Sequence, residues 1–140
     1  MDQINIGGNM SWEHFDAIAQ GNVTITDLEG NFLSHTRYAL GKVTTGRSRS
    51  FHCYRLVITH GTITYIGEDK YSMRRALMGC AEKLRADHFS ITVVGLSDSF
   101  KETGLSSNTG YGYLPSNKKS VHMMDEMGSS TLEHPSTDNE

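Results

Sequence analysis

Three groups of residues have the types and spacing to do chemistry. The first is the string Thr64-Tyr65-Ile66-Gly67, with Arg75 eight residues after the glycine and Tyr54 eleven residues before Tyr65. The second is a pair of strings, His60-Gly61-Thr62 and His88-Phe89-Ser90. The third is a set of arginines, Arg47, Arg49, Arg74 and Arg75, in a stretch (37–101) with eleven Lys/Arg against five Asp/Glu. Acidic segments flank that stretch. Residues 1–36 hold five acids and no Lys or Arg, and residues 102–140 hold six acids against Lys118 and Lys119. Either the segments neutralise one another in the fold, or the basic middle meets phosphate or an acidic protein. In the second case nucleic acid would bind at those four arginines, and binding would weaken steeply with salt.

The first group resembles the GIY-YIG nuclease family over roughly residues 51–102. That family places paired tyrosines on two strands, an arginine on the following helix, and a metal-binding glutamate beyond a third strand. The resemblance implies that Tyr54 and Tyr65 are the paired tyrosines, Arg75 the phosphate-binding arginine, and Glu102 the ligand of a divalent metal such as Mg. A phenol can orient or activate the attacking water, and a guanidinium clamps phosphate in bidentate fashion. One metal ion then stabilises the developing charge. The chain departs from the family pattern in two places. Its first tyrosine sits in His52-Cys53-Tyr54, and Ala76-Leu77-Met78-Gly79 follows Arg75 where the family has a basic residue or histidine. A plainer reading makes Tyr65-Ile66-Gly67 the end of a hairpin strand and Arg75 part of a solvated helix face.

The second group is similar to the His-x-Ser/Thr pairs of two-histidine phosphoesterases, in which histidines act as acid or base. Those enzymes need a longer, duplicated domain, and His60-Gly61 also suits a tight turn. The seven histidines show no i, i+4 pair and no metal-ligand spacing with the cysteines. Cys53 and Cys80 read as reduced core residues of a cytosolic protein. Gly7-Gly8 and Gly110-x-Gly112 are too bare to cradle phosphate. Tyr111 and Tyr113, followed by Lys118 and Lys119, could stack on bases.

The elements that must position these groups follow from periodicity. With 140 residues, 36% of them hydrophobic, the chain has the size of one domain. Residues 1–10 read as a mobile arm. Ser11 can cap a helix bearing Trp12, Phe15, Ile18 and Ala19 on one face, ended by Gly21. Strands are expected at 22–26, 32–35, 38–45, 51–59, 62–66 and 89–94, with 51–59 and 62–66 joined at His60-Gly61. A second helix spans 71–87, its stripe formed by Met73, Ala76, Leu77, Cys80, Ala81 and Leu84. The expected fold is therefore α+β in the order α-β-β-β-β-α-β, with about five mostly antiparallel strands packed with two helices over residues 11–103.

Residues 104–140 read as a polar, acidic tail. Its short anchors are Tyr111, Tyr113, Leu114, Val121, Met124 and Met127, suited to docking on a partner, a neighbouring subunit or the domain itself. No stretch has the length of a membrane span or the form of a secretory signal. The chain is expected in the cytoplasm or inside an assembled particle. The favoured function is a small non-catalytic binding or assembly protein without a cofactor, engaging a protein partner or its own copies as an accessory of a phage, plasmid or toxin–immunity system. The alternative is the metal-dependent nuclease.

Overall fold

The computed structural model describes residues 12–103, 109–115 and 119–127. Among the described residues seven strands and one α-helix follow one another: β1 (Glu13–Asp27), β2 (Phe32–Thr45), β3 (Ser50–His60), β4 (Ile63–Asp69), α1 (Met73–Ala86), β5 (Phe89–Ser90), β6 (Tyr111–Leu114) and β7 (Lys119–His122). The first five strands form one antiparallel sheet in the order β4-β3-β2-β1-β5, and β6 pairs with β7. The expected order α-β-β-β-β-α-β and its two helices are thereby corrected.

The first helix does not exist. Residues 13–19 are the start of β1, paired with the end of β2. The misreading has a physical cause. Ala17 stands opposite Gly41 and Ala19 opposite Leu40, so Ile18 is the extra residue of a β-bulge. A bulge breaks the two-residue alternation, and the spacing of three from Phe15 to Ile18 then imitates a helical stripe. Phe15 lies across from Val43, whereas Ile18 and Ala19 pack on the core. A second bulge, at His52 between Phe51 and Cys53, does the same at the start of β3 and turns Phe51 and Tyr54 to one face, their ring centroids 5.0 Å apart.

The hairpin turns have clear chemistry. Asp27 accepts the backbone N–H groups of Glu29 and Asn31 through its side chain, and Gly30 has φ +93°. Gly61, at φ +64°, closes the β3–β4 turn in the left-handed region that glycine adopts without strain.

Helix α1 covers β3 and β4 on one face of the sheet. Ser72 caps it, its Oγ accepting the Arg75 N–H at 3.1 Å, and Lys83 and Arg85 occupy the last turn. The buried stripe is Met73, Ala76, Leu77, Cys80 and Leu84. The closest approach is at Gly67, where an added Cβ would clash with the Ala76 carbonyl oxygen and the Cys80 backbone nitrogen. Lys83 Nζ donates to the Ile66 carbonyl at 2.6 Å, and Tyr65 Oη donates to Asp87 Oδ2 at 2.5 Å just past the helix.

The strand expected over 89–94 is also shorter. Phe89–Ser90 pairs with β1 at Asp27 and Thr26, and Val94–Leu96 turns as one 3-10 segment. The backbone after Ser90 finds its partners in the C-terminal segment instead. Val94 N–H donates to Asp125 O, Gly95 N–H to Met123 O, and Met127 N–H to Thr92 O. Val121, Met123 and Met124 complete the core. The sheet curls enough that His60 of β3 and Phe89 of β5 touch edge-on, centroids 4.7 Å apart, although β2 and β1 lie between them in sheet order.

His122 is the buried polar side chain of this segment. Its Nδ1 accepts the Met124 N–H at 3.0 Å, so the ring proton sits on Nε2, which faces Thr109 O at 3.0 Å. Burial holds its pKa below the ordinary histidine value, with Asp125 opposing the shift.

Two outcomes are expected. Gly67→Ala forces α1 off β4 and costs about 1–3 kcal/mol, the usual price of overpacking, read as a lower denaturant midpoint. Because the folded His122 takes up its proton at lower pH than the unfolded chain, stability is full above about pH 6.5 and falls as pH drops below it. His122→Ala lowers the midpoint at neutral pH and flattens that slope, measured by urea titrations across the pH range.

Candidate functional site

Antiparallel pairing divides the sheet into two ends. One holds the start of β1, the β2–β3 turn, the end of β4 and the N-terminus of α1. The other holds the β1–β2 and β3–β4 turns, β5 and the C-terminus of α1.

The residues singled out by the nuclease resemblance are split between these ends. Tyr54 pairs with Asp69 and Tyr65 with Ile58, four register positions apart, or roughly 13 Å along the strands. Both side chains are buried. The hydrogen bond to Asp87, aided by burial, pushes the Tyr65 phenol up to about 12. Arg75 is exposed in the first turn of α1. Glu102 closes the helix N-terminus, accepting from Ser72 Oγ at 2.9 Å and from the Arg74 N–H at 3.4 Å. Tyr54, Arg75 and Glu102 therefore lie near the start of α1 and Tyr65 at its end. Among the described residues no three His, Cys, Asp or Glu side chains gather into a metal-binding group.

The histidine strings come closer together than their sequence separation suggests. His60 Nδ1 lies 3.2 Å from Ser34 Oγ and its ring packs on Phe89. His88, at φ +69°, is exposed in the link from α1 to β5. Both cysteines are buried thiols, and burial pushes Cys80 up to about 12.

The four arginines have different duties. Arg74 is tied down: its Nε donates to Gly95 O at 2.7 Å and its Nη2 to Ser97 O at 3.1 Å. Arg47 lies over the Trp12 ring, 5.4 Å from its centroid, and Arg49 is exposed in the same turn at φ +54°. Arg55, which sequence reasoning passed over, joins Glu13 and Glu68 by ion pairs of 3.1 and 2.5 Å and lies over Phe15. Of the anchors, Val121 and Met124 dock on the domain's own core and Leu114 packs at its margin. Tyr111, Tyr113 and Met127 keep much of their surface exposed.

Sequence reasoning missed the exposed apolar side chains at the two ends. Leu28, Phe32, Leu33 and Ile63 lie at the turn end of the sheet, each 40–59% exposed. Trp12, Phe51 and Tyr71 are exposed at the opposite end. One signal was available: in an alternating strand the adjacent apolar pair Phe32-Leu33 cannot both face the core. No family model matches the chain, and no curated protein or solved structure matches it. No helix among the described residues is long and apolar enough to cross a membrane.

Arg74 and Arg75 should separate in a stability assay. Arg74→Ala removes charged hydrogen bonds to two carbonyls and costs about 1.5–3 kcal/mol. Arg75→Ala, on the solvated face, stays within about 0.5 kcal/mol. Equal midpoints in guanidinium titrations would show that the Arg74 bonds contribute nothing.

Proposed function

We propose that the chain is a non-catalytic binding or assembly protein that engages its own copies or a protein partner through the turn end of its sheet. The observation carrying this reading is the exposure of four large apolar side chains, Leu28, Phe32, Leu33 and Ile63, at the tips of two neighbouring hairpins. Three of the reactive groups named from the sequence support it, because they serve the fold. Tyr65 fastens the end of α1, Glu102 closes its start, and Arg74 holds the 3-10 turn. The nuclease alternative requires Tyr65 and Glu102 to meet at one phosphate. They stand at opposite ends of α1, and the binding reading is preferred for that reason.

Magnitudes set the expected strength. Burying a large apolar side chain contributes about 1.5–3 kcal/mol. Each of these four is already about half covered, so complete burial recovers roughly 3–6 kcal/mol. Association itself costs about 4–15 kcal/mol. The patch alone thus supports weak, reversible contact, and a tight complex needs further area around it.

Light scattering coupled to size exclusion tests this on the full chain. The expected result is a mass that rises with concentration and returns to that of a monomer in the Phe32→Ser/Ile63→Ser double variant, with its circular dichroism unchanged. A chain that stays monomeric at every concentration, and whose cross-linked products in cells are unaffected by the double variant, removes the reading.

A further inference from the structure

The end opposite the apolar patch has a different chemistry. Gly46 N–H donates to Trp12 O at 2.9 Å, which sets Trp12 beside the β2–β3 turn. Register places His14, Thr44 and Phe51 in one row across three strands. Trp12, two residues before His14, points to the same face as Phe51. Both rings are exposed, and their backbone positions stand roughly 12 Å apart, from two strand spacings and two residue rises. That separation suits different units of an extended ligand better than one small planar molecule. Tyr71, the most exposed of the large apolar side chains at 78%, follows β4 at this same end.

Two guanidinium groups stand beside these rings. Arg47 lies on the indole of Trp12, and neither it nor Arg49 has a carboxylate partner among the described residues. Most carboxylates at this end keep their charge but are held by other groups. Glu13 and Glu68 hold Arg55, Asp69 accepts the N–H groups of Tyr71 and Ser72 at 2.8 Å each, and Glu102 holds Ser72. The end therefore offers guanidinium groups to an anion and flat rings to flat groups, at separate points along a curved face.

We propose that this end binds single-stranded nucleic acid, with bases stacked on Trp12 and Phe51 and the backbone phosphates met by Arg47 and Arg49. Aromatic faces accept any base, and a guanidinium both stacks on rings and grips phosphate. A duplex hides its base faces and leaves the rings without partners, so the single strand is the form that fits. An acidic polypeptide satisfies the arginines but supplies no row of planar groups. This site lies at the opposite end from the protein-binding patch, and either assignment stands without the other.

Trp12 is the only tryptophan of the chain, so its fluorescence reports this site alone. Titrating the full chain at low salt with a short oligothymidylate is expected to quench that emission saturably. Two guanidinium–phosphate contacts predict a fall in affinity of roughly 25-fold per tenfold rise in salt. Phe51→Ala weakens binding about tenfold, within the range for one stacked base. Arg47→Ala/Arg49→Ala flattens the salt dependence, whereas Arg85→Ala, which removes a positive charge elsewhere, changes neither reading. Circular dichroism confirms that each variant is folded. No quenching at low salt overturns the proposal, as does equal binding of a duplex oligonucleotide. Equal quenching by polyglutamate overturns it in favour of an acidic protein ligand.

Discussion

The contact on which the rest of the structure depends is the approach of α1 to β4 at Gly67. A side chain there would strike the helix backbone at Ala76 and Cys80, so the absence of a Cβ sets how deeply the helix sits on the sheet. From that seat Leu77, Cys80 and Leu84 reach the core, Lys83 reaches the Ile66 carbonyl, and Asp87 meets Tyr65. At the other end Ser72 and Glu102 close the first turn. The string Tyr65-Ile66-Gly67, which resembles a nuclease motif, has a complete structural use. Its tyrosine anchors the helix C-terminus, its isoleucine carbonyl accepts the lysine, and its glycine admits the helix.

The second constraint is the curl of the sheet. The bulges at Ile18 and His52 break the alternation of β1 and β3, and bulges increase local twist. With the sheet curled, β5 and the segment from Val121 to Met127 pack around its open side. Glu126 bonds the backbone and hydroxyl of Thr24 at 3.0 and 2.9 Å, tying the C-terminal segment to β1. Residues distant in sequence thus supply the hydrogen bonds that the chain after Ser90 lacks within the main sheet.

This architecture separates the two surfaces by chemistry. Hairpin tips carry aliphatic and phenyl side chains at one end, and the other end carries indole, phenyl and guanidinium groups. Neither set contributes to the core, so both are free of the packing constraints that govern the face under α1. Arg55 shows the contrast. Held by two carboxylates and laid across Phe15, it covers the far face of the sheet and has no charge left for a ligand.

The sequence by itself determined the elements whose signal is local. The stripe from Met73 to Leu84 specified α1, the alternation of 51–59 with Gly61 specified the β3–β4 hairpin, and Asp27 to Asn31 specified a turn. It also named the arginines of the basic stretch, but not their separate duties. Tertiary structure alone decided what depends on distant partners. A helical spacing at Phe15 and Ile18 became a strand because β2 supplies a ladder of backbone hydrogen bonds that a single short helix could not match, and the bulge absorbed the mismatch. Arg74 became structural because Gly95 and Ser97 bring carbonyls to it, whereas Arg47 and Arg49 remained available at a turn. Val121 and Met124 became core because the curled sheet left space for them. Periodicity reports which side chains share a face, but the partner that covers the face is set by contacts between segments that the linear sequence keeps far apart.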